Sequence, residues 1–237
     1  MGILAISLII ADNPADYIRM HTTEAPEVTP YTFEQMEALL KYAEQCNLTM
    51  QVVIWLATLG LRRSEICGLR FGSIDWDNNK FTIESTIVKV KTLHLQDSTK
   101  TVKSRRDIIM PDGLKSLLYQ IQQQKKADKL FFGAGYTSND YVFTTKTGNV
   151  VSPDNMGKAF KKIVADAGLP HYTLHGLRHT AATLMHSMGY TARDLQEQFG
   201  WSSTRMLARY VHISEERKRD MTANYLNALG QSTPTAV

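Results

Sequence analysis

The run His175-Gly176-Leu177-Arg178-His179 places two imidazoles and a guanidinium within five positions at the expected entry to a helix. His175 and Arg178 are three apart, so they share a face near the positive end of that helix, an arrangement that suits an anion. His175 and His179 are four apart, which is also a metal-ligand spacing. No HExxH is present and no third ligand stands out, so a metal site is not expected.

A second group follows an apolar run: Thr58-Leu59-Gly60-Leu61-Arg62-Arg63-Ser64-Glu65-Ile66. A third spans Phe199-Gly200-Trp201 to Arg209-Tyr210-Val211-His212. A fourth is basic, with Lys100, Lys103, Arg105 and Arg106 inside seven positions, and Lys158, Lys161 and Lys162 form another basic cluster. Taken singly, each has a plain reading. An arginine pair can cap a helix, a tyrosine near a helix end can be packing, and basic clusters are commonly solvated faces. Convergent in space, the same groups would bind phosphate.

In order and spacing, the groups resemble the tyrosine recombinase (phage integrase) family over roughly residues 30–225. The family's first box is similar to Gly60-Leu61-Arg62-Arg63-Ser64-Glu65. Its second, His-x-x-Arg, matches His175-Gly176-Leu177-Arg178, followed by His179-Thr180. Its third matches Phe199-Gly200-Trp201, with the nucleophile nine residues on at Tyr210. One departure is Trp201, where most members carry histidine. An indole N–H still donates a hydrogen bond but cannot exchange protons.

The resemblance implies transesterification of a DNA phosphodiester through a covalent 3′-phosphotyrosine at Tyr210, with integration or excision of a mobile element as the outcome. Arg62 and Arg178 would clamp the nonbridging oxygens. The phenol, with an ordinary pKa near 10, needs a base, for which His175 is the candidate. Lys100, with Lys103 as rival, would give the leaving 5′-oxygen its proton, and Trp201 would donate to a phosphate oxygen. Lys103, Arg105, Arg106, Arg63 and His179 are expected to touch DNA. Glu65 is expected to support Arg62 or its neighbour, although a solvated glutamate fits the sequence too. Neither metal, ATP nor other cofactor is implied. The implied partners are double-stranded DNA and further protomers, joined through the C-terminal tail in a synaptic tetramer.

The elements that must position these groups read as an α+β fold, mainly helical with a small antiparallel sheet. Thr32 and Gln35 form a capping box before a helix running to about Cys46. Residues 50–59 form a buried helix ended by Gly60, and a short helix follows from Arg63 to Leu69. Asp75–Lys80 is turn chemistry, and Lys80–Lys91 alternates, with Phe81, Ile83, Ser85 and Ile87 on one face, as a strand does. Arg106–Met110 is a second strand, with a basic hairpin loop between them. Later helices are expected over 114–126, 152–167, 176–188, 191–199, 203–211 and 214–228. The domain reading is a helix remnant of an upstream core-binding domain at 1–13, a linker at 14–30, a catalytic domain at 31–228 and a tail at 229–237.

The bulk composition is permissive. Lys plus Arg total 27 against 23 Asp plus Glu, a net +4. Cys46 and Cys67 sit in apolar sequence and read as buried thiols of a reducing cytoplasm. Met1–Ile10 is too short to span a bilayer, and no membrane partner is expected. Two other DNA-directed readings stay open: a type IB topoisomerase-like enzyme and a catalytically silent DNA-binding remnant. A histidine phosphatase shares the Arg178-His179 pair but not the glycine that usually follows.

Overall fold

The computed structural model describes residues 29–89, 93–96, 105–201, 203 and 223. Helix α1 (Phe33–Ala43) opens on the expected capping box: Thr32 Oγ1 accepts from the Gln35 N–H, and Gln35 Oε1 accepts from the Thr32 N–H at 3.0 Å. Helix α2 (Leu48–Thr58) is apolar nearly all round, as a central helix must be. It packs against α1, α4 (Asp112–Phe132) and α6 (Leu174–Ser187). Its buried Val52, Val53, Ile54 and Leu56 sit in the main core beside Leu39, Leu114, Leu118 and Leu177.

Strand β1 (Ile74–Asp75) pairs antiparallel with β2 (Lys80–Ile83), which pairs antiparallel with β5 (Arg106–Ile109) in the register Phe81 to Ile108. Strands β3 (Thr86–Lys89) and β4 (Leu93–Gln96) form a separate antiparallel hairpin. The expected single strand over Lys80–Lys91 is therefore two. Its alternation holds, since Phe81, Ile83, Ser85 and Ile87 are all buried. The ladder breaks because Ser85 leaves the sheet and donates its hydroxyl to the Gly68 carbonyl at 2.9 Å. The chain then packs on α3 (Arg63–Gly68). Part of the expected basic loop is also regular, as β4.

Helices α4, α5 (Pro153–Asp166), α6 and α7 (Ala192–Phe199) fall where the periodicity puts them. Helix α4 runs six residues beyond the expected Lys126, through Leu130 and Phe131, which are exposed. Around Tyr141–Thr144 the chain makes two isolated bridges, Arg70 to Tyr141 and Thr144 to Val150. Apart from residues 203 and 223, the helices expected over 203–211 and 214–228 lie outside the described residues, as do the segments 1–13 and 229–237 and nearly all of the linker at 14–30. Among the described residues no helix is long and apolar enough to cross a membrane. Cys67 is buried and Cys46 half-buried, both as free thiols.

Candidate active site

A cleft of about 800 Å³ opens between the start of α3, one face of α5 and the first turn of α6. Arg62, Arg63, Lys158, Lys161 and His175 line it, with Asp154 as the lone carboxylate of the lining. Lys158 and Lys161 are three apart on α5, so the helical period turns both to one face. Arg63 lies 3.6 Å from Asp154, an exposed pair that contributes little to stability.

His175 enters at the first turn of α6, whose N-cap Thr173 accepts from the Gly176 N–H at 3.0 Å. Its pKa is lowered from the usual 6.5, by desolvation first and then by the Arg178 and Arg62 charges. The imidazole is therefore neutral near pH 7 and free to take a proton.

Behind the cleft, one carboxylate gathers three guanidiniums. Glu65 is 1% exposed. Its Oε2 accepts the Arg62 backbone N–H at 2.8 Å, and its Oε1 accepts Arg62 Nη1 at 2.7 Å. Arg106 is bidentate on the same carboxylate, Nη1 to Oε1 at 3.1 Å and Nη2 to Oε2 at 2.9 Å. Arg178 Nη1 lies 3.8 Å from Oε2. Burial alone would raise the Glu65 pKa. The Arg106 hydrogen bonds, then the Arg106, Arg178 and Arg62 charges, overcome it and bring it down to about 2.

Arg178 also donates Nη1 to the Gly60 carbonyl at 2.5 Å and Nη2 to the Phe199 carbonyl, so one side chain joins all three sequence boxes. Its guanidinium lies 5.2 Å from the Phe199 ring centroid and 5.9 Å from that of Trp201, which stack on each other. This approach requires glycine at position 60. There φ is +90°, and a Cβ would come 2.2 Å from the Phe199 ring.

The sequence-predicted residues thus separate. Arg62, Arg63 and His175 meet at the cleft. Arg178, 4% exposed along its side chain, and Trp201, 3% exposed, are buried and absent from the lining. His179 is half-buried on α6 and also absent from it. Arg105 is exposed and pairs with Glu84 at 2.8 Å. Arg106, expected to touch DNA, is turned inward by strand alternation, beside Ile108 and onto Glu65. Tyr210, Lys100 and Lys103 lie outside the described residues. Among the described residues no group of three or more His, Cys, Asp or Glu is placed to hold a metal ion.

The profile of the phage integrase family matches residues 31–217. The chain belongs to the phage integrase family. It is 26% identical over 205 residues to a tyrosine recombinase XerC-like protein of Caldanaerobacter subterraneus subsp. tengcongensis, covering 81% of this chain and 52% of that one. It is 24% identical over 229 residues to the integrase of Mycobacterium phage D29, covering 95% of this chain and 58% of the phage protein. Among solved structures, the Tn1549 transposon integrase in complex with transposon right end DNA shares the fold. Its TM-score is 0.74 at 21% identity, over 92% of this chain and 73% of that one. XerA recombinase gives 0.65 at 19% identity, over 85% and 66%. The chain spans about half the length of the curated relatives it matches, 52%, 61% and 48% in three of them.

In this phage integrase fold, sequence reasoning did not assign Lys158 and Lys161 to the site. Their spacing on one helix face was visible, but only tertiary packing of α5 against α3 carries that face to Arg62 and His175.

Proposed function

We propose that this chain carries the strand-cleaving and rejoining centre of a site-specific DNA recombinase that integrates or excises a mobile element. The observation that carries the reading is one cationic cleft. In it the first-box Arg62 and second-box His175, distant in sequence, line the same cleft as Lys158 and Lys161.

In the proposed reaction Tyr210 Oη attacks the scissile phosphorus, with His175 accepting the phenolic proton. The P–O5′ bond breaks, and the leaving 5′-oxygen takes a proton from Lys100 or Lys103. The product is a 3′-phosphotyrosyl linkage and a free 5′-hydroxyl. Attack by a 5′-hydroxyl on that linkage reverses the step and rejoins the strand, so the energy of the broken diester is conserved. Arg62 meets the nonbridging oxygens at the cleft. Arg178 adds its positive charge from its buried position among the three boxes, and Trp201 holds that guanidinium by its ring face. Pre-set charge of this kind is usually the largest single contribution to such catalysis. Double-stranded DNA is the substrate, further protomers assemble on it through the C-terminal tail, and the site of action is the bacterial cytoplasm.

The test is covalent trapping on a nicked duplex that spans the junction between the chain's own element and host DNA. The expected result is a protein–DNA adduct with the wild-type chain and none with Tyr210→Phe. Absence of any wild-type adduct, or efficient relaxation of supercoiled plasmid lacking that junction, overturns the reading.

A further inference from the structure

We propose that Arg106 is a positioning residue for Arg62, which meets the phosphate, and for Arg178, which stabilises it from behind; the inference rests on the recombinase reading above. Strand β5 alternates buried and exposed, which sends Arg106 inward and Asp107 outward. The Arg106 side chain is 6% exposed. It reaches two elements at once: both oxygens of Glu65 on α3, and the Gln198 carbonyl near the end of α7, to which Nε donates at 2.8 Å. The next residue, Phe199, supplies the carbonyl that accepts from Arg178.

Arg106 therefore acts on each of the two arginines through a shared partner. On the Arg62 side, it competes for the Glu65 carboxylate. One carboxylate serves three guanidiniums, so the cluster keeps a formal surplus of positive charge. Without Arg106, the whole negative charge of Glu65 falls on Arg62 and Arg178, and a DNA phosphate in the cleft must compete with it for the Arg62 N–H groups. On the Arg178 side, Arg106 fixes the end of α7 that carries the Phe199 carbonyl. The room for it is built in. Gly200 closes α7 at φ +59°, and a Cβ there would come 3.0 Å from Arg106 Nη1.

The surface above Arg106 is unsuited to DNA. It is a hollow of about 440 Å³ whose lining includes Asp107, Asp194 and Glu197, three carboxylates that would repel a phosphate. The charge of Arg106 is spent inward, on the geometry of the clamp.

The experiment compares single-turnover adduct formation by wild type, Arg106→Met and Arg106→Lys in the full chain. Each acts on the same nicked junction duplex with either an ordinary phosphodiester or a neutral methylphosphonate at the scissile position. The neutral linkage has no charge for the arginines to neutralise. Arg106→Met is expected to lose roughly 30-fold or more on the phosphodiester, of the order of one misplaced charge-stabilising donor, and under about threefold on the methylphosphonate. Junction binding stays within about threefold of wild type, because no phosphate contact is removed. Arg106→Lys, which keeps the charge but not the fork, falls between the two. Should Arg106→Met fail to fold, the same contrast between substrates is read on Arg106→Lys. Equal losses on both substrates, no loss on either, or a loss confined to binding overturns the inference. A wild-type chain that forms no adduct overturns the recombinase reading itself.

Discussion

Two arginine pairs, Arg62-Arg63 and Arg105-Arg106, are adjacent in sequence and divided in space. At the start of α3, Arg62 bends onto Glu65 and keeps 35% of its side chain exposed, while Arg63 leans toward Asp154 across the cleft. At the start of β5, the division is complete: Arg105 stands in solvent against Glu84, and Arg106 is buried against Glu65. A helix start turns neighbours by about 100°, so both can share a cleft, whereas a strand sends neighbours to opposite faces. Identical side chains therefore take different roles. Backbone period decides which guanidinium of the β5 pair faces solvent and which meets the buried carboxylate.

The strongest way to break this contrast is to remove the carboxylate. Glu65→Gln leaves Arg106 and Arg178 buried without a counter-charge. Loss of one partner of a buried ion pair costs about 3–5 kcal/mol. Denaturant unfolding of the variant is expected to show a loss in that range. A loss below about 1 kcal/mol would mean that the cluster is solvated and the contrast false.

Acid probes the same cluster without mutation. The Glu65 pKa is depressed when folded, from 4.5 to about 2. Its contribution to stability is therefore complete above about pH 4.5 and is lost as pH falls toward 2. The shift corresponds to something on the order of 3 kcal/mol. Urea midpoints measured from pH 6 down to pH 3 are expected to fall, and to fall less in Glu65→Gln. Parallel curves for the two proteins would assign the acid sensitivity to other carboxylates.

On the exposed side, effects are expected in binding rather than folding. Lys158→Ala and Lys161→Ala should each lower the slope of log affinity against log salt by about 0.9, with no preference among DNA sequences. An unchanged slope would remove the α5 face from the DNA path.

Much of this is legible in the amino-acid sequence. The Thr32 capping box and the Phe81-Ile83-Ser85-Ile87 alternation follow from local chemistry, and both are present. The break at Ser85 was not legible, because it depends on the Gly68 carbonyl meeting it from another element. By charge alone Arg106 reads as a DNA contact. The same alternation, continued through Arg106, Ile108 and Met110, places all three on the buried face. For Glu65 the local signal was balanced between solvent and ion pairing, and only the arrival of β5 and α6 behind α3 decides it. Trp201 carries a polar N–H that pointed to phosphate, yet its ring is the larger part, and it packs on Phe199 under the Arg178 charge.

The smallest effect is the sharpest control. Arg105→Ala removes an exposed pair with Glu84 and leaves the neighbouring Arg106 cluster intact. Exposed pairs contribute about 0–1 kcal/mol, so unfolding should shift by less than about 0.5 kcal/mol. If Arg105 does contact phosphate, its loss lowers the salt slope of binding by about one lysine's worth and leaves adduct formation at saturating DNA unchanged. Arg106→Met should do the reverse, sparing the slope and slowing the adduct. Two adjacent arginines with opposite signatures would tie each role to strand parity, and matching signatures would show that β5 does not divide them in the DNA complex.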